Sequence, residues 1–162
     1  MPEHRWSVLC RRAIVDRFTN VMSILEIMDE VNVEKEPNQP DETKASDAVI
    51  AIEGQLVSVW YRERPDRGER FWETITVTTP DGEIHPTEGG QRGNLEDYRR
   101  LRLIVGVKSI PFRGPGVYLF NIHCAKSERS KGKVVATVPL EVKVLEPASP
   151  SSTAPAPPPG QS

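Results

Sequence analysis

Cysteine and histidine are scarce in this sequence of 162 residues, which has only two cysteines and three histidines. The first residues contain no signal-peptide core, so the two cysteines predict free thiols in a reducing, cytoplasmic location. A zinc site needs clustered Cys or His ligands, usually with a C-x-x-C or H-x-x-x-H step, and the sequence contains neither. We therefore expect no metal and no cofactor.

Long apolar runs are also absent, and no segment approaches the roughly 20 consecutive residues of a membrane helix. Lys and Arg number 21 against 23 Asp and Glu, which gives a formal net charge of −2. Nucleic-acid binding depends on neutralising phosphates, so a chain without excess positive charge is not typical of it. We expect neither a membrane nor a nucleic acid as a partner.

No catalytic residues emerge from the pattern of nucleophiles and bases. His123 and Cys124 are adjacent, but neighbouring side chains on a strand point to opposite faces and cannot form a nucleophile–base pair. The segment Gly89–Gly93 lacks the helix and the Lys-Ser/Thr pair of a phosphate loop. We therefore expect a protein without enzymatic activity.

Proline is abundant, at 15 residues, and it is concentrated at the end of the chain. Residues 147–162 carry no large apolar side chain, and such a segment cannot offset the entropy lost on ordering. This composition predicts a disordered, polyproline-like tail over 147–162. Residues 1–146 are predicted to form one domain.

The rest of the chain shows apolar side chains at every second position, which is typical of half-buried strands. These strands are separated by Gly, Pro and Asp turn signals, and the pattern predicts an all-β fold, a single antiparallel β-sandwich of about seven or eight strands. The segment 49–61 is nearly apolar on both faces and is predicted to be a central strand. The clearest alternating segments are 71–77, 101–107, 118–124 and 134–144.

One segment, residues 19–33, fits two patterns. Val21, Ile24 and Leu25 follow a helical spacing, whereas Leu25, Ile27 and Val31 also share one face of a strand. The preceding residues 16–20 have the composition of a hairpin loop, so the context favours a strand.

The sequence resembles an uncharacterised bacterial family of small β-sandwich domains, a domain of unknown function. The resemblance rests on Val8-Leu9-Cys10, on the apolar segment 20–28 with its central Ser23, on the turn at 80–82 and on Gly116-Val117-Tyr118. It covers approximately residues 6–145. It implies that the ambiguous segment is a strand, and it implies no activity.

Residues 60–72 form the one segment with the composition of a binding surface. Four aromatic residues flank a loop that carries four arginines, and proteins enrich both residue types at interfaces. The segment is predicted to be a hairpin in which Trp60 and Phe71 face the core. The candidate binding residues are Tyr61, Arg62, Arg64, Arg67, Arg70 and Trp72. The alternative interpretation is a hairpin with a structural role only.

Two functions are compatible with these observations. The first is a non-enzymatic protein-interaction or structural accessory module, with another protein as its partner. The alternative is a β-sandwich that binds a small ligand, with a glycan as the candidate, through the aromatic residues and arginines of 60–72.

Overall fold

A computed structural model describes residues 1–34, 48–64, 66–87 and 90–145. Every regular element within these residues is a β-strand, which confirms the all-β class. The strands are β1 (Glu3–Val15), β2 (Met22–Ile27), β3 (Glu30–Glu34), β4 (Val49–Tyr61), β5 (Arg70–Thr78), β6 (Ile84–Pro86), β7 (Gln91–Asn94), β8 (Arg100–Pro111), β9 (Gly116–Ala125) and β10 (Lys133–Leu145). The described strands are more numerous than predicted. The predicted tail, 147–162, lies outside the described residues, and the domain boundary at 146 stays a prediction.

The strands form two sheets that share one apolar core. Sheet A has the order β2-β1-β4-β8, and sheet B has the order β3-β10-β9-β5-β6, with β7 also paired to β5. Buried side chains from both sheets form a single cluster, so the arrangement is sandwich-like. The pairing of β3 with β10 is parallel, and the prediction of a purely antiparallel fold is wrong there.

The segment 19–33 is extended, as its context predicts, but it forms two strands in different sheets. β2 pairs with β1 in sheet A, and β3 pairs with β10 in sheet B. The chain crosses between the sheets at Met28 and Asp29, where the Met28 amide donates to the Leu9 carbonyl at 2.9 Å. The Asp29 carbonyl accepts the Glu141 amide at 2.8 Å. The alternation of apolar residues cannot reveal this crossing, because β2 and β3 both place side chains on one face at every second residue.

Strands β4 and β5 do not form the predicted hairpin at 60–72. β4 lies between β1 and β8 in sheet A, whereas β5 pairs with β6, β7 and β9 in sheet B. The described residues between β4 and β5, 62–64 and 66–69, therefore connect one sheet to the other, and we call them the inter-sheet segment. Trp60 and Phe71 do face the core, but they meet across it, with ring centroids 4.6 Å apart. A connection of this length can close a hairpin between neighbouring strands, or it can reach a facing sheet about 10 Å away. The turn residues in the sequence are compatible with both connections and therefore did not distinguish them.

The second half of β4, from Leu56 to Trp60, is buried on both faces, as predicted for a central strand, whereas outward residues of its first half are exposed. Leu56, Ser58 and Trp60 point to the core, while Val57 and Val59 point away from it. Val57 and Val59 are nevertheless only 0% and 3% exposed. Another part of the chain must therefore cover the outer face of sheet A.

The cover is the distal part of the β1–β2 hairpin, residues 11–27, which we call the flap hairpin. β1 pairs with β4 only as far as Cys10, and its remaining residues pair with β2 alone. The Ala13 amide donates to Gln55 Oε1 at 2.6 Å. The Arg102 guanidinium, on the outer face of β8, donates to the side-chain and backbone oxygens of Asn20 at 2.8 and 3.0 Å. These contacts show that the flap hairpin folds back across the outer face of sheet A.

Candidate functional site

The two aromatic residues predicted to bind a ligand lie on opposite sides of the molecule. Tyr61 follows the core residue Trp60 on β4 and therefore points to the outer face of sheet A. Trp72 follows the core residue Phe71 on β5 and points to the outer face of sheet B. Both side chains are half-buried. The four aromatic residues thus form no common stacking surface.

The four predicted arginines divide into two pairs. Arg62 donates from Nη1 to the Glu96 carbonyl at 3.0 Å, and Arg70 donates from Nη2 to Glu96 Oε2 at 2.5 Å. These two side chains connect the inter-sheet segment to the residues that precede β8. Arg64 and Arg67 are exposed and lie on one turn, where the Arg67 amide donates to the Arg64 carbonyl at 3.3 Å.

A cleft of about 380 Å³ opens at this end of the sandwich. We call it the end cleft, and it is lined by residues 1–2, 63–64, 67–71 and 125–126. The Met1 amino group lies 3.1 Å from Glu69 Oε1 and 3.6 Å from Glu63 Oε2. The structure therefore brings Arg64, Arg67 and Arg70 together at one cavity, without Tyr61 or Trp72.

A buried carboxyl lies inside the core near the end cleft. Glu73, on β5, is 1% exposed, and its Oε2 accepts hydrogen bonds from Ser58 Oγ at 2.5 Å and from Trp60 Nε1 at 2.6 Å. Its Oε1 has no hydrogen-bond partner among the described residues. Burial raises the pKa of Glu73, while the two hydrogen bonds favour the ionised form and oppose the shift. The carboxyl therefore keeps its proton to a higher pH than an exposed glutamate does.

The geometry of this cluster does not suit nucleophilic catalysis. Ser58 is completely buried, whereas a nucleophile must reach its substrate. The nearest histidine ring, that of His4, packs edge-on against Trp60 and shares a 2.8 Å hydrogen bond with Ser7. We interpret the cluster of Ser58, Trp60 and Glu73 as a structural part of the core.

Both cysteines are free, as predicted, and both are buried. Burial raises the pKa of the Cys124 thiol to about 11, with the charge of Glu73 as a smaller cause, and burial also raises the pKa of Cys10. Because the thiolate is the reactive form, we expect neither residue to react with iodoacetamide near neutral pH while the protein is folded. Intact-mass measurement should show both thiols modified only after unfolding in urea. Fast labelling of the folded protein would contradict the burial of these side chains.

The flap hairpin carries an exposed aromatic residue on a well-defined turn. Phe18 is 99% exposed. Asp16 Oδ1 accepts hydrogen bonds from the amides of Phe18 and Thr19 at 2.8 and 2.7 Å, and the Asn20 amide donates to the Asp16 carbonyl at 2.9 Å. Asn20 has a φ of 54°, a left-handed conformation that asparagine tolerates well. With Asn20 also bound by Arg102, the turn is held both internally and against sheet A.

Further apolar side chains continue along the solvent face of the flap hairpin. Ile14, Val21, Leu25 and Ile27 are all exposed, whereas the alternate residues Ala13, Met22 and Ile24 are half-buried. Single exposed apolar residues are ordinary, but several of them on the same hairpin as a fully exposed phenyl ring are typical of an interaction surface.

Comparison of the chain with protein-family models, with curated proteins and with solved structures gave no match. The resemblance to a bacterial β-sandwich family therefore stays a prediction, and the function has to be argued from the geometry.

Metal binding and membrane crossing each require a particular arrangement of residues. Within the described residues, no three His, Cys, Asp or Glu side chains are placed so that they could hold a metal ion. That same part of the chain has no helix with the length and apolar character needed to cross a membrane.

Sequence reasoning missed Phe18 and Glu73. The loop at 16–20 was identified correctly, and an aromatic residue inside so polar a loop was the available signal for Phe18. Glu73 stands in phase between Phe71 and Ile75, so the alternation already placed a carboxylate on the buried face of β5.

Proposed function

We propose that this protein is a non-enzymatic protein-interaction module that binds its partner through the flap hairpin, with Phe18 as the central contact. The observation that carries the proposal is the fully exposed phenyl ring on a turn held by hydrogen bonds. Interface energy is concentrated in a few large side chains, with aromatic residues prominent among interface residues. A turn whose backbone is already held in place loses little backbone entropy on binding, so the contacts of its side chains contribute more fully to affinity.

The surroundings of Phe18 define the chemistry of the partner. Its phenyl ring fits an apolar pocket, and Ile14 and Leu25 would cover the border of that pocket. Arg12 and Arg17 are exposed on the same hairpin and favour acidic groups around the pocket. The partner is therefore a protein with an apolar pocket and an acidic rim.

The partner is expected to contact the turn and the solvent face of the flap hairpin rather than add a strand to β2. β2 is an edge strand of sheet A, which usually invites pairing. Glu26, however, has a φ of 54°, and this left-handed residue interrupts the regular extended backbone of the edge.

Glycan binding by residues 60–72 has less support. Stacking on a sugar or base requires accessible aromatic rings, and Trp60 and Phe71 are buried while Tyr61 and Trp72 lie on opposite faces. The feature of this segment that is suited to a small ligand is the end cleft.

The test is photo-crosslinking from the turn. A photoreactive amino acid replaces Thr19 in the full chain, and crosslinked proteins from the native cell are identified by mass spectrometry. The same protein should be crosslinked in the parent chain and in the control Ile84→Ser, which removes an exposed apolar side chain from sheet B. Phe18→Ser should lose the crosslink while keeping the parent melting temperature.

Other outcomes would identify a different surface. A crosslink that persists in Phe18→Ser, with binding of the same protein unchanged, contradicts the role of the phenyl ring. If binding is instead lost in Tyr61→Ala, Trp72→Ala or Arg67→Ala, the interaction surface is the segment first identified in the sequence.

A further inference from the structure

Part of the charge in the end cleft is internally balanced. Glu63 and Glu69 are both within 4 Å of the Met1 amino group, and the Arg70 guanidinium is paired with Glu96. The Glu63 amide also donates to Glu69 Oε2 at 3.2 Å, which holds this carboxylate against the wall of the cleft. These groups therefore have partners within the protein.

The remaining cations are Arg64, Arg67 and Lys126. None of them forms an ion pair of 4.0 Å or less with a carboxylate of the described residues. Arg64 and Arg67 come from one turn of the inter-sheet segment, whereas Lys126 directly follows β9, a neighbour of β5 in sheet B. The cleft thus presents positive charge from two different walls.

The size and lining of the cleft restrict the ligand. Its volume of about 380 Å³ lies within the range of about 300–1,000 Å³ that is typical of small-molecule sites. The one aromatic residue in its wall, Phe71, is buried and offers no ring for stacking. Recognition therefore depends on charge and hydrogen bonding rather than on contact with a sugar or base.

We propose that the end cleft binds a phosphate group, either free phosphate or the phosphate of a small organic molecule. Arg64 and Arg67 would donate hydrogen bonds to its oxygens from one wall, and Lys126 would approach as a point charge from the other. A phosphate group carries about 1.5 to 2 negative charges near pH 7 and has at least three non-bridging oxygens, which matches three cations better than a carboxylate does. The overall net charge of −2 describes the whole surface and does not oppose a local excess of positive charge.

The test is an NMR titration of the full chain, labelled with ¹⁵N, against inorganic phosphate, glycerol phosphate and uncharged glycerol in a phosphate-free buffer. Saturable shifts are expected for amides of residues 63–71 and 125–126 with both phosphate compounds, and none with glycerol. Tighter binding of glycerol phosphate would identify an organic phosphate as the ligand, and equal or tighter binding of inorganic phosphate would identify the free ion.

Matched variants separate a site from general attraction between charges. Arg67→Gln and Lys126→Gln should each weaken binding by about tenfold, since each removes a charged donor to the phosphate. Lys108→Gln removes an exposed cation near the distant end of β8 and should leave the affinity unchanged. The absence of saturable shifts, or an equal loss in Lys108→Gln, would overturn the proposal.

Discussion

The variant Trp60→Ala is expected to lose about 3–5 kcal/mol of unfolding free energy, a large part of the stability of a domain of this size. Trp60 is the largest completely buried side chain, and its ring packs on Phe71 and on the edge of His4. Its removal leaves a cavity in the core between the sheets. It also deprives Glu73 of one of its two donors. Urea unfolding monitored by circular dichroism measures the loss.

Two variants separate the packing of Trp60 from its hydrogen bond. Trp60→Phe retains an aromatic ring but has no N–H group, so it should cost about 1–3 kcal/mol, less than the alanine variant. Phe18→Ala removes an aromatic side chain that is almost fully exposed and should change stability by less than about 0.5 kcal/mol. A small effect of Trp60→Ala would mean that Trp60 is not the centre of the core.

The second large effect is expected at Glu73, whose removal leaves buried donors without their acceptor. In Glu73→Ala, the Ser58 hydroxyl loses Oε2 as its acceptor, and the Trp60 N–H keeps only the Ser58 oxygen at 3.0 Å, at a cost of about 1–3 kcal/mol beyond that of the cavity. Glu73→Gln keeps the shape and provides an amide oxygen that can accept both hydrogen bonds. We therefore expect Glu73→Gln to be much more stable than Glu73→Ala near neutral pH.

The pH dependence of stability gives an independent readout of the same carboxyl. Because the pKa of Glu73 is raised above its ordinary value of 4.5, the folded state holds a proton that the unfolded state has already released. Stability from this group is fully present below the unfolded pKa and is lost as the pH rises through the folded pKa. Glu73→Gln should remove this decline when urea unfolding is compared between about pH 5 and pH 8. An unchanged pH profile in the variant would show that Glu73 is not protonated in the fold.

The candidate sites were only partly visible in the sequence. The arginines at 64, 67 and 70 were identified by composition, and the structure does bring them to one cleft. Tyr61 and Trp72 were grouped with them because a hairpin was expected, and the passage of the chain between sheets separates them. The position of Lys126 in the same cleft depends on contact between segments far apart in the chain, which no local pattern records.

The sequence by itself determined which side chains of a strand face the core. Phe71 and Trp60 were placed there by alternation, because successive side chains of an extended backbone point to opposite faces whichever strands lie beside it. The all-β class and the burial of Cys124 follow from the same local geometry. Cys10, in contrast, follows the core residue Leu9 and points to the outer face of sheet A, so its burial was decided by the tertiary structure. Which sheet each strand joins was decided only by the tertiary structure. Strand pairing depends on long-range contacts, and all strands with the same alternation of apolar residues are equally suited to form them. The crossing of β2 to β3, the separation of β4 from β5 and the folding of the flap hairpin over Val57 and Val59 all belong to that second category.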